Sequence, residues 1–253
     1  MIRLTIDGMP VAVAEGTTVL EAAQNIGIWI PTLCHHESLT PYGGCRLCAV
    51  ELLQGKQIRV VSSCNYIAED GMQVSTCSAT VTAIRKCIIA LLLAEAPEAK
   101  VLRELADEIG AVPYPGFTAR NELCIACGRC VRACREIVGV QAIDFAHRGY
   151  KRVAAAPFFE RSEDCIGCGT CVAVCPTGAI TMKDIPPGAQ GTLPDGTVIE
   201  GPARIIDNWK VSLALKRCAK CGEPFAPQFQ LEYFTAKAQL PADFFDVCRE
   251  CRP

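Results

Sequence analysis

Eight cysteines in two matching runs carry the strongest chemical signal in this chain of 253 residues. Cys124, Cys127, Cys130 and Cys134 are spaced C-x2-C-x2-C-x3-C, and Cys165, Cys168, Cys171 and Cys175 repeat the spacing and end in proline. Thiolates are soft ligands suited to iron-sulfur clusters, and this run lets three close cysteines grip one cube while the fourth crosses to another. The scheme assigns Cys124, Cys127, Cys130 and Cys175 to one 4Fe-4S cluster, and Cys165, Cys168, Cys171 and Cys134 to a second. Paired structural zinc sites are the alternative, and they rarely use four cysteines in such a run. The expected chemistry is one-electron transfer.

Two further groups stand outside that pair. Cys34, Cys45, Cys48 and Cys64 are spaced C-x10-C-x2-C-x15-C, and Gly43 and Gly44 let the backbone pass close to a cluster with amides free to donate. Here the C-x2-C pair is expected to set two thiolates on one side. Cys218, Cys221, Cys248 and Cys251 form two C-x2-C knuckles separated by one loop, which suits a four-cysteine zinc ribbon, with a third 4Fe-4S cluster as the rival. Cys77 and Cys87 fit neither pattern, and Cys87 is expected in an apolar core. His35 and His36 adjoin Cys34, where all four cysteine ligands are already present, so they read as packing beside the cluster. Trp29 and Trp209 read as packing residues and His147 as a loop residue. Ile125 and Ile166 can shield the cubes from water. Arg129, Arg132 and Arg135 flank the first run, where Thr170, Ala173 and Pro176 flank the second. Positive charge favours a reduced cluster, which would give the first cube the higher potential; a solvated or partner-facing surface is the other reading.

The elements that must hold these ligands follow from period and punctuation. Ile2, Leu4 and Ile6, then Val11 and Val13, alternate as two strands around Asp7-Gly8. Thr17 or Thr18 caps a helix with Val19, Leu20, Ala22, Ala23 and Ile26 on one face, stopped by Gly27. Helices are expected from Ser78 to about Ala96 and from Glu98 to Ile109, with Gly110 as a stop. Thr192 to Gly201 reads as a small hairpin after a turn-rich stretch. The fold class is α+β: over 1–77 the element order resembles the β-grasp fold of 2Fe-2S ferredoxins, which implies a 2Fe-2S ferredoxin-like domain, and a helical linker follows over 78–113. A two-cluster 4Fe-4S ferredoxin-like domain follows over 114–184, then a linker with a hairpin over 185–217 and a small four-cysteine module over 218–253.

Composition excludes several classes. The net charge of -2 offers no basic field for nucleic acid. The most apolar run, Cys87 to Ala94, falls far short of the ~20 residues that span a bilayer. The N-terminus has no basic region followed by an apolar run and a cleavage site, so clustered C-x2-C pairs read as metal binding rather than disulfides, in a cytoplasmic protein. No G-x-G-x-x-G, P-loop or nucleophile elbow is present, so neither a dinucleotide site nor a catalytic residue can be named, and whether the chain is itself an enzyme stays open.

The ten-residue first gap, I-P-T-L-C-H-H-E-S-L, G-G-C-R-L-C-A-V-E-L, Arg148-Gly149 and C-P-T-G-A-I from Cys175 to Ile180 occur in one order over residues 1–184. Together they resemble the N-terminal region of the complex I large iron-sulfur subunit and the diaphorase iron-sulfur subunit of NAD-linked hydrogenases and formate dehydrogenases. The resemblance implies a 2Fe-2S cluster on Cys34, Cys45, Cys48 and Cys64 and two 4Fe-4S clusters on the paired runs. It implies a hetero-oligomer in which electrons pass between a flavin- and NAD(P)-binding diaphorase subunit and a terminal redox subunit or ferredoxin. Hydrogenase, formate dehydrogenase, bifurcating transhydrogenase and acyl-CoA reductase partners all fit. Many members carry another 4Fe-4S site, of one histidine and three cysteines, between the two modules. Residues 91–112 contain neither residue type, so that site is expected to be missing. A redox-sensing or assembly protein, with the C-terminal four-cysteine module as its interaction site, is the alternative; three cluster sites in series and the lack of a basic recognition segment speak against it.

Overall fold

The computed structural model describes residues 1–54, 57–114, 116 and 123–252. These fall into two units, Met1–Arg129 with Pro176–Gly178, and Cys130–Cys175 with Ala179–Pro253. The start of the two-cluster domain, expected near Tyr114, runs into residues 115 and 117–122, which lie outside the described residues.

In the first unit β1 (Ile2–Ile6) and β2 (Met9–Val13) form the expected hairpin, with Asp7 and Gly8 both at positive φ as a two-residue turn requires. Leu4, Ile6, Val11 and Val13 point inward and are buried. Thr18 begins α1 (Val19–Asn25) with a capping box: its hydroxyl accepts from Glu21 N–H, and the Glu21 carboxylate accepts from Thr18 N–H at 2.7 Å. Three strands follow that period alone did not single out: β3 (Ala49–Gln54), β4 (Gln57–Ser62) and β5 (Gln73–Ser75). The sheet order is β2-β1-β5-β3-β4, with β1 and β5 parallel and the other pairs antiparallel. Helix α1 supplies Val19, Leu20, Ala22 and Ala23 to the same core, completing the β-grasp arrangement.

Next come α2 (Ala79–Glu95), capped by Ser78, and α3 (Lys100–Ile109), ended by Gly110 in the left-handed region. Their apolar faces build a second core from Ile89, Leu93, Ala96, Ala99, Leu102 and Leu105, joined by Leu33, Leu47 and Ile125 from the cysteine-bearing loops. Helix α2 buries Val81, Ile89, Ala90 and Leu93, which leaves Cys87 on the opposite side. Cys87 and Cys77 are exposed, correcting the expectation of a core role for Cys87. No helix among the described residues is long and apolar enough to cross a membrane.

The second unit holds most of α4 (Arg129–Arg132), which continues as a wider π turn over Ala133–Val138, and α5 (Thr170–Ala173). Between them β6 (Asp144–Ala146) and β7 (Val153–Ala155) pair as a short ribbon. Residues 185–217, expected as a linker, carry most of a four-stranded antiparallel sheet: β8 (Met182–Ile185), β11 (Ala203–Ile206), β12 (Val211–Arg217) and β13 (Pro224–Pro227). The expected hairpin is there too, as β9 (Gln190–Thr192) and β10 (Val198–Glu200). The sheet forms because Val211, Leu213 and Leu215 alternate inward, and because Arg204 clamps β11 to β8 through two bonds of 2.7 Å to Asp184. Helix α6 (Gln228–Lys237) closes the unit.

Candidate metal centres

In the first unit the cysteines sit at the ends of the β3–β4 hairpin and in the loop before it. Cys48 immediately precedes β3 and Cys64 follows β4, with Ser63 N–H donating to the Cys48 carbonyl at 3.1 Å. Cys34 and Cys45 bracket the loop that contains Gly43 and Gly44, and Cys45 N–H points at the Cys34 sulfur at 3.4 Å. The Gly44 and Gly43 amides donate toward the sulfurs of Cys34 and Cys64. Gly43 has φ +65, and a Cβ there would lie 2.6 Å from Asn65 Nδ2; at Gly44 it would lie 2.4 Å from the Tyr42 ring. The loop therefore needs its glycines to bring amides to the sulfurs.

The thiols pair as Cys34 with Cys45 and Cys48 with Cys64. A hydrogen bond from Cys34 holds Cys45 down at about 5, while the same bond and burial push Cys34 up. Cys48 is held at about 6 by Cys64, whose own thiol is pushed up. Cys45 is thus linked to Cys34 and Cys48 to Cys64, while the charge of Cys45 also acts on Cys48. Arg85 of α2 donates to the Ala49 carbonyl at 2.8 Å, and burial lowers its pKa, offset in part by the charge of Cys48. His35 supplies its backbone carbonyl to the Arg129 guanidinium.

Also in the first unit, Cys124 and Cys127 lie in the loop leading to α4, where Ala126 N–H reaches the Cys124 sulfur at 3.4 Å. Ile125 is buried in the α2–α3 core and Cys127 packs against it.

In the second unit Cys134, Cys165, Cys168 and Cys171 line one cavity, walled by Val138, Ile143, Ile166, Ile206 and Trp209. This is the set that the crossing scheme assigns to one cube. Ala142 N–H points at the Cys134 sulfur at 3.3 Å, and Ala179 N–H at that of Cys175, also at 3.3 Å. The Trp209 indole N–H reaches the Cys171 sulfur at 3.4 Å. Burial pushes the Cys171 thiol up to about 12, and the indole partly opposes that shift. Thiol donors, inward amides and an apolar wall fit a thiolate-bound cluster better than a solvated ion. A Cβ at Gly167 would strike Leu213 at 2.7 Å, and one at Gly169 would meet the Met182 sulfur at 2.8 Å, so the sheet packs directly on the cysteine loop. The π turn after Cys134 ends at Val138, whose carbonyl accepts from Lys237 Nζ at 2.6 Å and Tyr233 Oη at 2.8 Å. Arg132 is buried, and Arg135 pairs with Glu136 at 3.6 Å.

The C-terminal group is the tightest. The sulfurs of Cys218, Cys221, Cys248 and Cys251 all lie within 4.8 Å of one another. Cys218 is held down at about 6, first by Cys248 N–H, which donates to its sulfur at 3.3 Å. Lys220 N–H adds a second bond at 3.4 Å.

Sequence reasoning reads Trp209 as packing, as its place in the core bears out, but not as a donor to Cys171, and it does not single out Tyr233 and Lys237. Nothing in a lone tryptophan far from a cysteine run marks it as a sulfur donor. Tyr233 and Lys237 stand four positions apart on α6, which places them on one face of that helix.

Comparison with known proteins agrees with this layout. Residues 1–79 match the 2Fe-2S iron-sulfur cluster binding domain. Residues 118–182 and 164–224 each match a 4Fe-4S dicluster domain. Over 173 residues the chain is 36% identical to NADPH-Fe(3+) oxidoreductase subunit alpha of Geobacter sulfurreducens, covering 59% of this chain and 20% of that protein. It is 35% identical over 206 residues to a subunit of the NADH-quinone oxidoreductase of Rhizobium meliloti, covering 71% of this chain and 24% of that one. The chain thus spans between a fifth and a third of the curated relatives it matches. A chain of a solved NAD+-reducing NiFe hydrogenase in its H2-reduced state superimposes with a TM-score of 0.61 at 30% identity, covering 70% of this chain and 85% of that one.

Proposed function

We propose a relay role for this chain, which belongs to the family of iron-sulfur subunits of NAD(P)-linked oxidoreductase complexes. Single electrons pass through it between a flavin- and NAD(P)-binding diaphorase subunit and a terminal redox subunit or ferredoxin. NAD(P)H gives up two electrons as hydride, so the pair must be split on a flavin before a one-electron carrier can accept them. Within the complex, Cys34, Cys45, Cys48 and Cys64 would hold a 2Fe-2S cluster. Cys124, Cys127, Cys130 and Cys175 hold one 4Fe-4S cluster, and Cys165, Cys168, Cys171 and Cys134 hold a second. Such clusters store and release one electron with little rearrangement. The chain's own residues fix the sulfurs, exclude water and aim amides at them. The reducing cytoplasm keeps the thiols available for iron.

The four C-terminal cysteines hold zinc. A Zn–S bond of ~2.3 Å places tetrahedral sulfurs ~3.8 Å apart. The Cys221–Cys248 separation of 3.9 Å supports that reading, whereas sulfurs on the corners of a cube stand ~6 Å apart.

The observation that carries the relay is the cavity shared by Cys134, Cys165, Cys168 and Cys171, in which cysteines from two separate runs converge. The test is anaerobic purification through a tag on this chain. The complex should contain flavin, about ten iron atoms and one zinc per copy, and NAD(P)H should bleach its visible absorbance. Bleaching of the isolated chain by NADH, or a native complex lacking flavin, would overturn the relay.

A further inference from the structure

We propose that Trp209 is a tuning residue for the second 4Fe-4S cluster, its indole N–H donating to the Cys171 sulfur and raising that cluster's reduction potential. The inference rests on the assignment of Cys134, Cys165, Cys168 and Cys171 to one cube.

The indole is placed, not merely packed. Trp209 is 5% exposed, sits in the core with Ile143, Ile180, Ile206, Val211 and Leu213, and directs Nε1 at Cys171 Sγ over 3.4 Å. A buried indole N–H requires an acceptor, and among described atoms this sulfur is the one it reaches. The turn that carries it, Asp207–Trp209, is pinned from several sides. Asn208 accepts from Thr181 N–H at 3.0 Å and donates to the Ala179 carbonyl at 2.9 Å, which ties the turn to the strand entry just beyond Cys175. Asp207 pairs with Lys183 at 3.5 Å, and its carbonyl accepts from Lys210 N–H at 3.1 Å. Lys210 takes φ +51, a conformation an L-residue adopts only under constraint, and its ammonium meets Glu160 at 3.3 Å. Two strands, β11 and β12, continue from either side of the turn. Backbone amides serve Cys134 and Cys175, whereas at Cys171 the donor is a side chain that mutation can remove.

Reduction adds negative charge that spreads onto the cysteine sulfurs. A donor aimed at one of them therefore binds the reduced form more strongly than the oxidised form. Removing the N–H must favour the oxidised cluster. Opening the site to water would do the reverse, because solvent dipoles also stabilise added charge. The sign of the change thus separates the loss of a specific donor from a general loosening.

The experiment uses the full chain with its clusters assembled anaerobically, titrated against potential and followed by EPR. In Trp209→Phe the iron and sulfide content should match wild type, while the equilibrium constant for reducing this cube falls about three- to tenfold, ~30–60 mV at 59 mV per tenfold for one electron. The other clusters should hold within error. An unchanged or raised potential at full iron content would overturn the proposal. If the variant loses this cluster, a chain that keeps Trp209 decides, because the chain has 2 tryptophans. Trp29→Phe leaves Trp209 as the one indole, and 15N labelling of tryptophan should give a 15N coupling to the reduced cube by pulsed EPR. No coupling would sink the hydrogen bond. A wild-type chain that takes up no cubes at all would instead refute the cluster assignment itself.

Discussion

Replacing Cys248 with serine tests whether one ion organises the C-terminal module. Among described positions 218–252 the buried residues are Cys218, Pro227, Leu231 and Cys248, so half of that set are proposed ligands. Leu231 contributes ~1.5–3 kcal/mol of apolar burial, and Pro227 less, whereas a structural zinc in a small domain is worth ~10–16 kcal/mol. The metal outweighs the module's own core several-fold. Cys248 is also the residue whose amide serves Cys218, so its loop has two reasons to stay in place. In Cys248→Ser, zinc should fall from about one per chain toward zero while iron stays near ten. Backbone amides of residues 218–252 should then exchange rapidly with deuterium, and the loss should reach α6, whose Tyr233 and Lys237 hold the Val138 carbonyl. Cobalt substituted into wild type should give the intense visible bands of a tetrahedral four-thiolate site, and the variant should not. A wild-type chain with about fourteen iron atoms and no zinc would refute the geometric argument outright. So would a variant that keeps zinc and its exchange protection.

Thr18→Ala removes one half of the capping box and should cost ~1–2 kcal/mol, read as an earlier midpoint in chemical unfolding of the 2Fe-2S domain; an unchanged midpoint would show that the cap is redundant with burial. Gly44→Ala would set a Cβ 2.4 Å from the exposed Tyr42 ring, which must swing aside, at a cost of ~1 kcal/mol. It should also displace the amide that serves Cys34 and lower the 2Fe-2S potential in an EPR titration, and a full-strength signal at the wild-type potential would dismiss the amide's role. Gly201→Ala would set a Cβ 2.0 Å from the Pro186 carbonyl oxygen, a backbone atom that cannot swing aside, so the sheet should lose more than ~3 kcal/mol and the chain should melt visibly earlier. Wild-type melting in that variant would mean the segment relaxes elsewhere.

What the chain discloses in one dimension depends on whether a feature is local. Thr18 followed by Glu21, Asp7-Gly8 between alternating strands, and Gly110 after a helical stripe are decided within a few residues, and each is found where pattern places it. The β3–β5 strands were harder. In β4 the residues Gln57–Val60 are exposed and Ser62 is buried, so the apolar alternation that marks a strand is absent. The C-terminal sheet was hidden for another reason. β8 and β11 pair across the intervening β9–β10 hairpin, a register set by Arg204 and Asp184 meeting twenty positions apart rather than by any neighbouring turn. Ligand spacing was legible because thiolates must converge, but their partners were not. The spacing of Cys45 and Cys48 suggests proximity, and the charge of Cys45 does act on Cys48; that the β3–β4 hairpin also brings Cys64 to Cys48 is information only the fold contains. Cys87 was misjudged because its run is apolar throughout and α2 has more apolar residues than one buried face can take.

The α2–α3 segment bears most on how electrons could move through the first unit. It stands where the family resemblance implies a further cluster, and here its buried face is aliphatic. Leu33 and Leu47 from the 2Fe-2S loops, Ile89 and Leu93 from α2, Leu102 and Leu105 from α3, and Ile125 from the first cubane loop form one packed core. Cys45 and Cys127 both pack against it. The same two loops meet again through the Arg129 guanidinium on the His35 carbonyl, one residue from Cys34 and two from Cys127. A histidine-bearing relay would have required polar ligands and a shell to satisfy them in that space, at a cost that aliphatic packing avoids. On either side this aliphatic core touches a proposed ligand of each cluster, Cys45 and Cys127. On the proposed ligand assignment, the distance an electron would cross in this unit is set by side-chain packing between the two cysteine loops.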